Sequence, residues 1–469
     1  MDPRRQRGAA ALLMIVTLIV VLTIVFAPRL TLWQIRNAAN ARGYQSLVEA
    51  KAAILAHAAN PGADAAGRRL GQISLTPDLP VTAGTTFDGI SKPGCATRTW
   101  VAGQALIDPN AYAVPLDVRC FGRVPWLSYG LPGPSTPDDE DGEIPWMFMS
   151  ANLVLGPGPG CLRNLNPLML SGAYTGGCGT AVPFPWLTVV DGRGNVMSSE
   201  VAIVLVLPGP PVNATQARRA PADHSPSAYL EGLTVGAGCP APCVPGFYSN
   251  AAYTVANGLA WTFVDAPSSS ALGPPPSYYN QPFAFNDRMI YITASEYFEA
   301  MEQRARLAAL GSLSQFRATY GYLPYSGDNP SAPLATSCSL QSRMGLLPVT
   351  GNCGGALSYP TWYTNSGWGS YFIYAVDSGC LASAAAPRCL APTLQLAGAA
   401  TRYNAVLLSP GRAIVRAPFA ASKGAPQSPV GSASLADFLD SPGNLNGAPF
   451  DAAGTPASAN YDDRMYGIP

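Results

Sequence analysis

Hydrophobic and polar positions divide this chain into two stretches of helical period, each followed by runs that alternate or stay apolar. Residues 9–27 carry no charge, and Thr17 and Thr23 are their only polar side chains. At ~1.5 Å per residue that stretch spans roughly 28 Å as a helix, enough to cross a bilayer core. Apolar or small residues then recur at helical spacing through Leu30, Trp33, Ala41, Tyr44, Val48, Ala52, Leu55 and Ala59, until "NPG" at 60–62 stops them. The pattern predicts a transmembrane helix over 9–27, kinked near Pro28 and continuing as an amphipathic helix to about 59. A second periodic stretch opens on a capping box, Thr293 to Glu296. It sets Phe298, Met301, Ala305, Ala309, Leu313, Phe316 and Tyr320 on one face, and Gly321 and Pro324 end it.

Strand-like runs follow each helix. Behind the first come "RVPWLSYGL", "PWMFMSANLVL", "WLTVVDG" and "VAIVLVL"; behind the second come "GSYFIYAVD" and "NAVLLSP". Helix first and antiparallel strands afterwards is α+β logic. Three landmarks recur in one order. "VAIVLVLPGPP" (201–211), "SAYLEG" (227–232) and "FNDRMIYIT" (285–293) are echoed by "YNAVLLSPGRA" (403–413), "LADFLDSPGN" (435–444) and "YDDRMYGIP" (461–469). The echo predicts an internal duplication, with a basic leader at 1–8, a first head over 28–293 and a second over 294–469.

A leader "MDPRRQRG", an apolar helix, a proline about twenty residues into it and an amphipathic continuation resemble the type IV pilin and type II secretion pseudopilin family. The "GWGSYFIYAV" stretch is similar to a pseudopilin turn leading into an aromatic strand. The resemblance implies cleavage by a prepilin peptidase after Gly8 and methylation of the new terminus at Ala9. It also implies assembly with other pilin or pseudopilin subunits. The family usually has Phe or Met at the first mature position and Glu at the fifth, where this chain has Ala9 and Leu13. Members without that Glu resemble tip-type minor pseudopilins, so a minor subunit at or near a filament tip is the expected role. A never-processed, membrane-anchored periplasmic binding or scaffold protein is the alternative, and the mass of the mature N-terminus separates the two.

Composition changes the picture through the cysteines. All ten lie beyond the apolar stretch: Cys95, Cys120, Cys161, Cys178, Cys239, Cys243, Cys338, Cys353, Cys380 and Cys389. An even set in Gly/Pro-rich sequence with two histidines reads as disulfides rather than zinc ligands. Nearest neighbours give the pairings 95–120, 161–178, 239–243, 338–353 and 380–389. An oxidising compartment follows, and scarce lysine with abundant alanine suits a bacterium of GC-rich genome. The expectation is a single-pass inner-membrane protein of a Gram-negative bacterium, N-terminus cytoplasmic and bulk periplasmic, in contact with lipid through its helix. The formal charge is zero without long basic or acidic runs, so nothing attracts nucleic acid at long range.

Candidate chemistry is sparse. "PDDEDGEIP" clusters Asp138, Asp139, Asp141 and Glu143 around Gly142, oxygens of the kind calcium prefers, but without the full calcium-loop pattern. Asp223, His224 and Ser225 are consecutive, and adjacent side chains point apart rather than converging as a triad must. With neither a nucleophile elbow nor a phosphate loop, no catalytic role and no cofactor is expected. Tryptophans such as Trp126, Trp146, Trp186, Trp362 and Trp368 read as core or turn residues, with adhesion through one or two of them as the alternative.

Overall fold

A computed structural model describes residues 42–60, 120–133, 144–150, 186–209, 229–235, 246–250, 262–265, 285–327, 343–348, 357–384, 386–396, 400–411 and 463–469, with isolated positions between them. Helix α1 is described over 42–59. The other α-helices among the described residues are α2 (Trp126–Tyr129), α3 (Ala294–Tyr320) and α4 (Thr361–Asn365).

The strands fall into two sets. The first comprises β1 (Cys120–Arg123), β2 (Trp146–Met149), β3 (Leu187–Asp191), β4 (Val196–Leu207), β5 (Gly232–Val235), β6 (Gly246–Ser249), β7 (Thr262–Asp265) and β8 (Arg288–Thr293). The second comprises β9 (Met344–Leu346), β10 (Ile373–Val376), β11 (Leu394–Gln395), β12 (Arg402–Tyr403), β13 (Ala405–Ser409) and β14 (Arg464–Ile468).

The architecture corrects the expected one. Among the described residues no helix is long and apolar enough to cross a membrane, and residues 9–27 lie outside them. Length alone does not make a span: α3 has 27 residues but carries Glu296, Glu299, Glu302, Arg304, Arg306 and Arg317. What is described is a strand-rich mixed fold, with β3 pairing β7 in parallel amid antiparallel neighbours, rather than a long membrane helix bearing pilin heads. The single-pass inner-membrane placement, and the membrane, pilin and secretion descriptors attached to it, lose that basis.

Two local expectations are corrected as well. "RVPWLSYGL" is not a strand, because the chain leaves β1 at Arg123 and coils into α2, closed by Gly130 at φ 69°. On α1 the buried stripe is Leu47, Ala50, Ile54 and Ala58, while Tyr44 and Val48 face outward. Both stripes are apolar, so periodicity could not choose between them.

The two sets of strands share one register. Leu205 pairs with Met147 on one side and Ile290 on the other; Leu407 pairs with Tyr374 and Tyr466 in the same places. Gly122 faces Met147 as Gly345 faces Tyr374. Leu187 pairs with Val201 as Leu394 pairs with Tyr403, and the parallel contact of Val189 with Phe263 returns as Leu396 with Phe450. Connections agree too: Ile73 N donates to Leu153 O, and Leu323 N to Cys380 O.

Packing explains the unbroken apolar runs. Ile203 and Leu205 of β4, with Ala405 and Leu407 of β13, enter one core beneath α1 and α3. Their alternates are buried on the opposite face, Val204 and Val206 with Trp146, Phe148 and Phe263, Val406 and Leu408 with Leu439 and Phe450. A strand covered on both faces has no polar side to show. The helical core joins both sets, and Lys51 of α1 pairs with Glu296 of α3 at 2.7 Å.

Helix α3 starts where its sequence says. Thr293 Oγ1 accepts from Glu296 N at 3.1 Å, satisfying one orphan donor of the first turn. Thr293→Ala is expected to cost about 1 kcal/mol, read from urea unfolding midpoints.

Candidate functional site

Two clusters of buried acidic side chains stand out in the interior. The first sits where β5, β7 and β8 meet. Glu231 precedes β5 and Asp287 precedes β8, exposed by 4% and 3%. Each carboxylate accepts from the other's backbone: Glu231 N donates to Asp287 Oδ2 at 2.9 Å, and Asp287 N donates to Glu231 Oε2 at 2.9 Å. Asn286 N adds a third bond to Glu231 Oε2 at 3.0 Å. Asn250, after β6, donates to Asp287 Oδ2 at 3.1 Å and accepts from Val264 N of β7 at 2.9 Å. Burial pushes the Asp287 carboxyl well above its ordinary range, and the neighbouring Glu231 charge pushes the same way. Nearby on β1, Arg123 is buried with its guanidinium 4.5 Å from the Trp146 ring and 4.6 Å from that of Tyr229, and it donates to Ile144 O.

The second cluster lies between α3 and strands β13 and β14. Glu302 is buried on the helix face that otherwise carries Met301, Ala305 and Ala309. Its Oε2 lies 3.4 Å from the Tyr371 hydroxyl, which accepts from Ser409 Oγ at 3.0 Å and reaches Gly411 O at 3.2 Å. Arg464 bridges Glu302 at 3.8 Å and the exposed Glu299 at 3.0 Å. Burial raises the Glu302 carboxyl above its usual value, against the opposing charge of Arg464. Ser409 donates to a phenol rather than to a base, and the carboxylates of the first cluster are occupied by backbone N–H groups. Such bonds fix loops and hold charge in place.

The residues singled out from the sequence are scattered. Gly8, Ala9, Asp138, Asp139, Asp141, Glu143 and the run Asp223–His224–Ser225 lie outside the described residues. So do Cys95, Cys161, Cys178, Cys239, Cys243, Cys338 and Cys353. Cys120 is in β1, and Cys380 is bonded to Cys389. His57 meets the Tyr129 ring edge-on at 5.6 Å. Trp146 and Trp368 are fully buried, and Trp362 is half-buried with Arg304 above it at 5.8 Å. Among the described residues no group of three or more His, Cys, Asp or Glu is placed to hold a metal ion.

In the sequence Glu231 and Asp287 stand only as landmarks of the repeated "SAYLEG" and "FNDRMIYIT" segments. Glu302 gave one signal, a carboxylate on the apolar stripe of its helix. No family model, no curated protein and no solved structure matches this chain.

Proposed function

We propose that the protein is a structural subunit and not an enzyme, a building block of the minor pilin or pseudopilin kind that sits at or near the tip of a pilus or pseudopilus. One observation carries the assembly part of this reading. Helix α1 is apolar on two sides: Leu47, Ala50, Ile54 and Ala58 fill the core, while Tyr44 and Val48 are 58% and 41% exposed, with Ala52 and Ala56 following them on the outside. An outward apolar stripe on a helix already anchored by its other face is suited to a neighbouring subunit. Two helix-and-sheet units in one chain add bulk that fits an end position better than a repeating one.

Replacing Tyr44 and Val48 together by Glu tests it. Sedimentation velocity is expected to show self-association in the parent chain and its loss in the variant, with the urea midpoint unchanged because neither side chain is in the core. A parent chain that stays monomeric, or a variant that associates equally well, defeats the reading. Labelling spread along the length of sheared filaments would defeat the tip position alone.

A further inference from the structure

The two units are alike in backbone and register but differ in chemistry at the contact of each helix with its sheet. The strand registers match Leu207 with Ser409, Ile144 with Tyr371, Arg288 with Arg464 and Ile290 with Tyr466. The helices align through their ends. Gly71 N and Gly321 N, both at positive φ, donate to Ala58 O and Arg317 O. Counting back from Ala58 and Arg317, Gly43 occupies the place of Glu302, and Leu47 that of Arg306.

Side-chain geometry gives the same alignment independently. A Cβ on Gly43 would stand 2.5 Å from Leu207 Cδ2 and 3.5 Å from Arg288 Nη1. Glu302 is paired with Arg464, the counterpart of Arg288, and shares the Tyr371 hydroxyl with Ser409, the counterpart of Leu207. In the first unit, then, leucine fills the space above a glycine. In the second, serine recedes and a glutamate side chain takes the space, met by Tyr371 where the first unit has Ile144. One turn further along, Leu47 and Ile290 belong to the apolar core, while Arg306 stacks over the Tyr466 ring at 3.9 Å.

We infer that these exchanges are an address that makes each sheet accept only its own helix. Backbone shape does not discriminate, since the registers are the same. The side chains do. Docked on the first sheet, α3 would keep an arginine, Arg288, beside Glu302 but press its carboxylate against Leu207 and Ile144 in place of Ser409 and the Tyr371 hydroxyl. On the second sheet, Gly43 of α1 would leave a void and strip Ser409, Tyr371 and Arg464 of their carboxylate. An unpaired buried polar group disfavours the wrong pairing more than a correct pair favours the right one. The same rule applies between two copies of this chain, whose helices could otherwise trade places on equivalent sheets.

Two double-mutant cycles on the full chain test the address through urea midpoints. Ser409→Leu and Glu302→Gly are each expected to lower the midpoint, and the double variant to regain at least half of the summed loss. Gly43→Glu is expected to lower it sharply, and Leu207→Ser in the same chain to recover at least half of that. Should Gly43→Glu yield no folded protein, recovery of folded chain by the pair is the expected result. Losses that simply add in the second-unit cycle, or a Gly43→Glu/Leu207→Ser pair no better than Gly43→Glu alone, overturn the inference.

Discussion

Asp287→Ala is expected to destabilise the protein by about 2–4 kcal/mol, since it leaves the Glu231 amide and the Asn250 side-chain amide without their buried acceptor. Asp287→Asn is expected to behave differently. It keeps an acceptor oxygen and gains a donor that can face the Glu231 carboxylate, as the protonated acid does. The sign of the pH dependence follows from the direction of the shift. Asp287 titrates well above 3.8 in the folded chain, so the folded state holds a proton that the unfolded state has released. Its contribution is complete below the unfolded value and is lost as pH rises through the folded one. Urea midpoints of the parent chain should therefore decline above about pH 4, and this part of the decline should vanish in Asp287→Asn. An Asp287→Asn chain that tracks the parent across that range would show that the pair holds no proton there.

Leu205→Ala should cost about 2–5 kcal/mol, the range for a buried leucine whose cavity only partly collapses. The informative result is where the loss is felt. Leu205 lies in the first sheet, yet it belongs to the core that also contains Leu407, Tyr374 and the inner face of α3. Asn166 reaches across as well, donating to Gly367 O at 3.1 Å. Hydrogen exchange is expected to accelerate in β13 as well as β4, because opening one sheet uncovers the helices on which the other rests. Exchange confined to β4 and its neighbours would mean that the two units open separately.

Much of the local structure is written in local chemistry. Thr293, Glu296, Gly321 and seven apolar or aromatic side chains at helical spacing specify α3 without help from elsewhere, and the helix runs from Ala294 to Tyr320. The "VAIVLVL" and "NAVLLS" runs mark β4 and β13, because a segment apolar at every position can be buried on both faces. The Asp-Arg-Met echo marks the entries to β8 and β14. Each of these signals acts within a few residues, on a scale that sequence displays directly.

Other features depend on what arrives from far along the chain. α1 carries two apolar stripes, and only the placement of the sheets decided that Leu47 and Ile54 turn inward while Tyr44 and Val48 stay outside. Glu231 and Asp287 are 56 residues apart, and Glu302 meets Tyr371 across 69. Neither cluster has a spacing that could betray it. The sequence by itself determined which segments coil and which extend, since propensity, capping and turn chemistry are local. Only the tertiary structure decided which buried carboxylates find partners, because a desolvated charge is tolerated only beside whatever the folded chain brings to it.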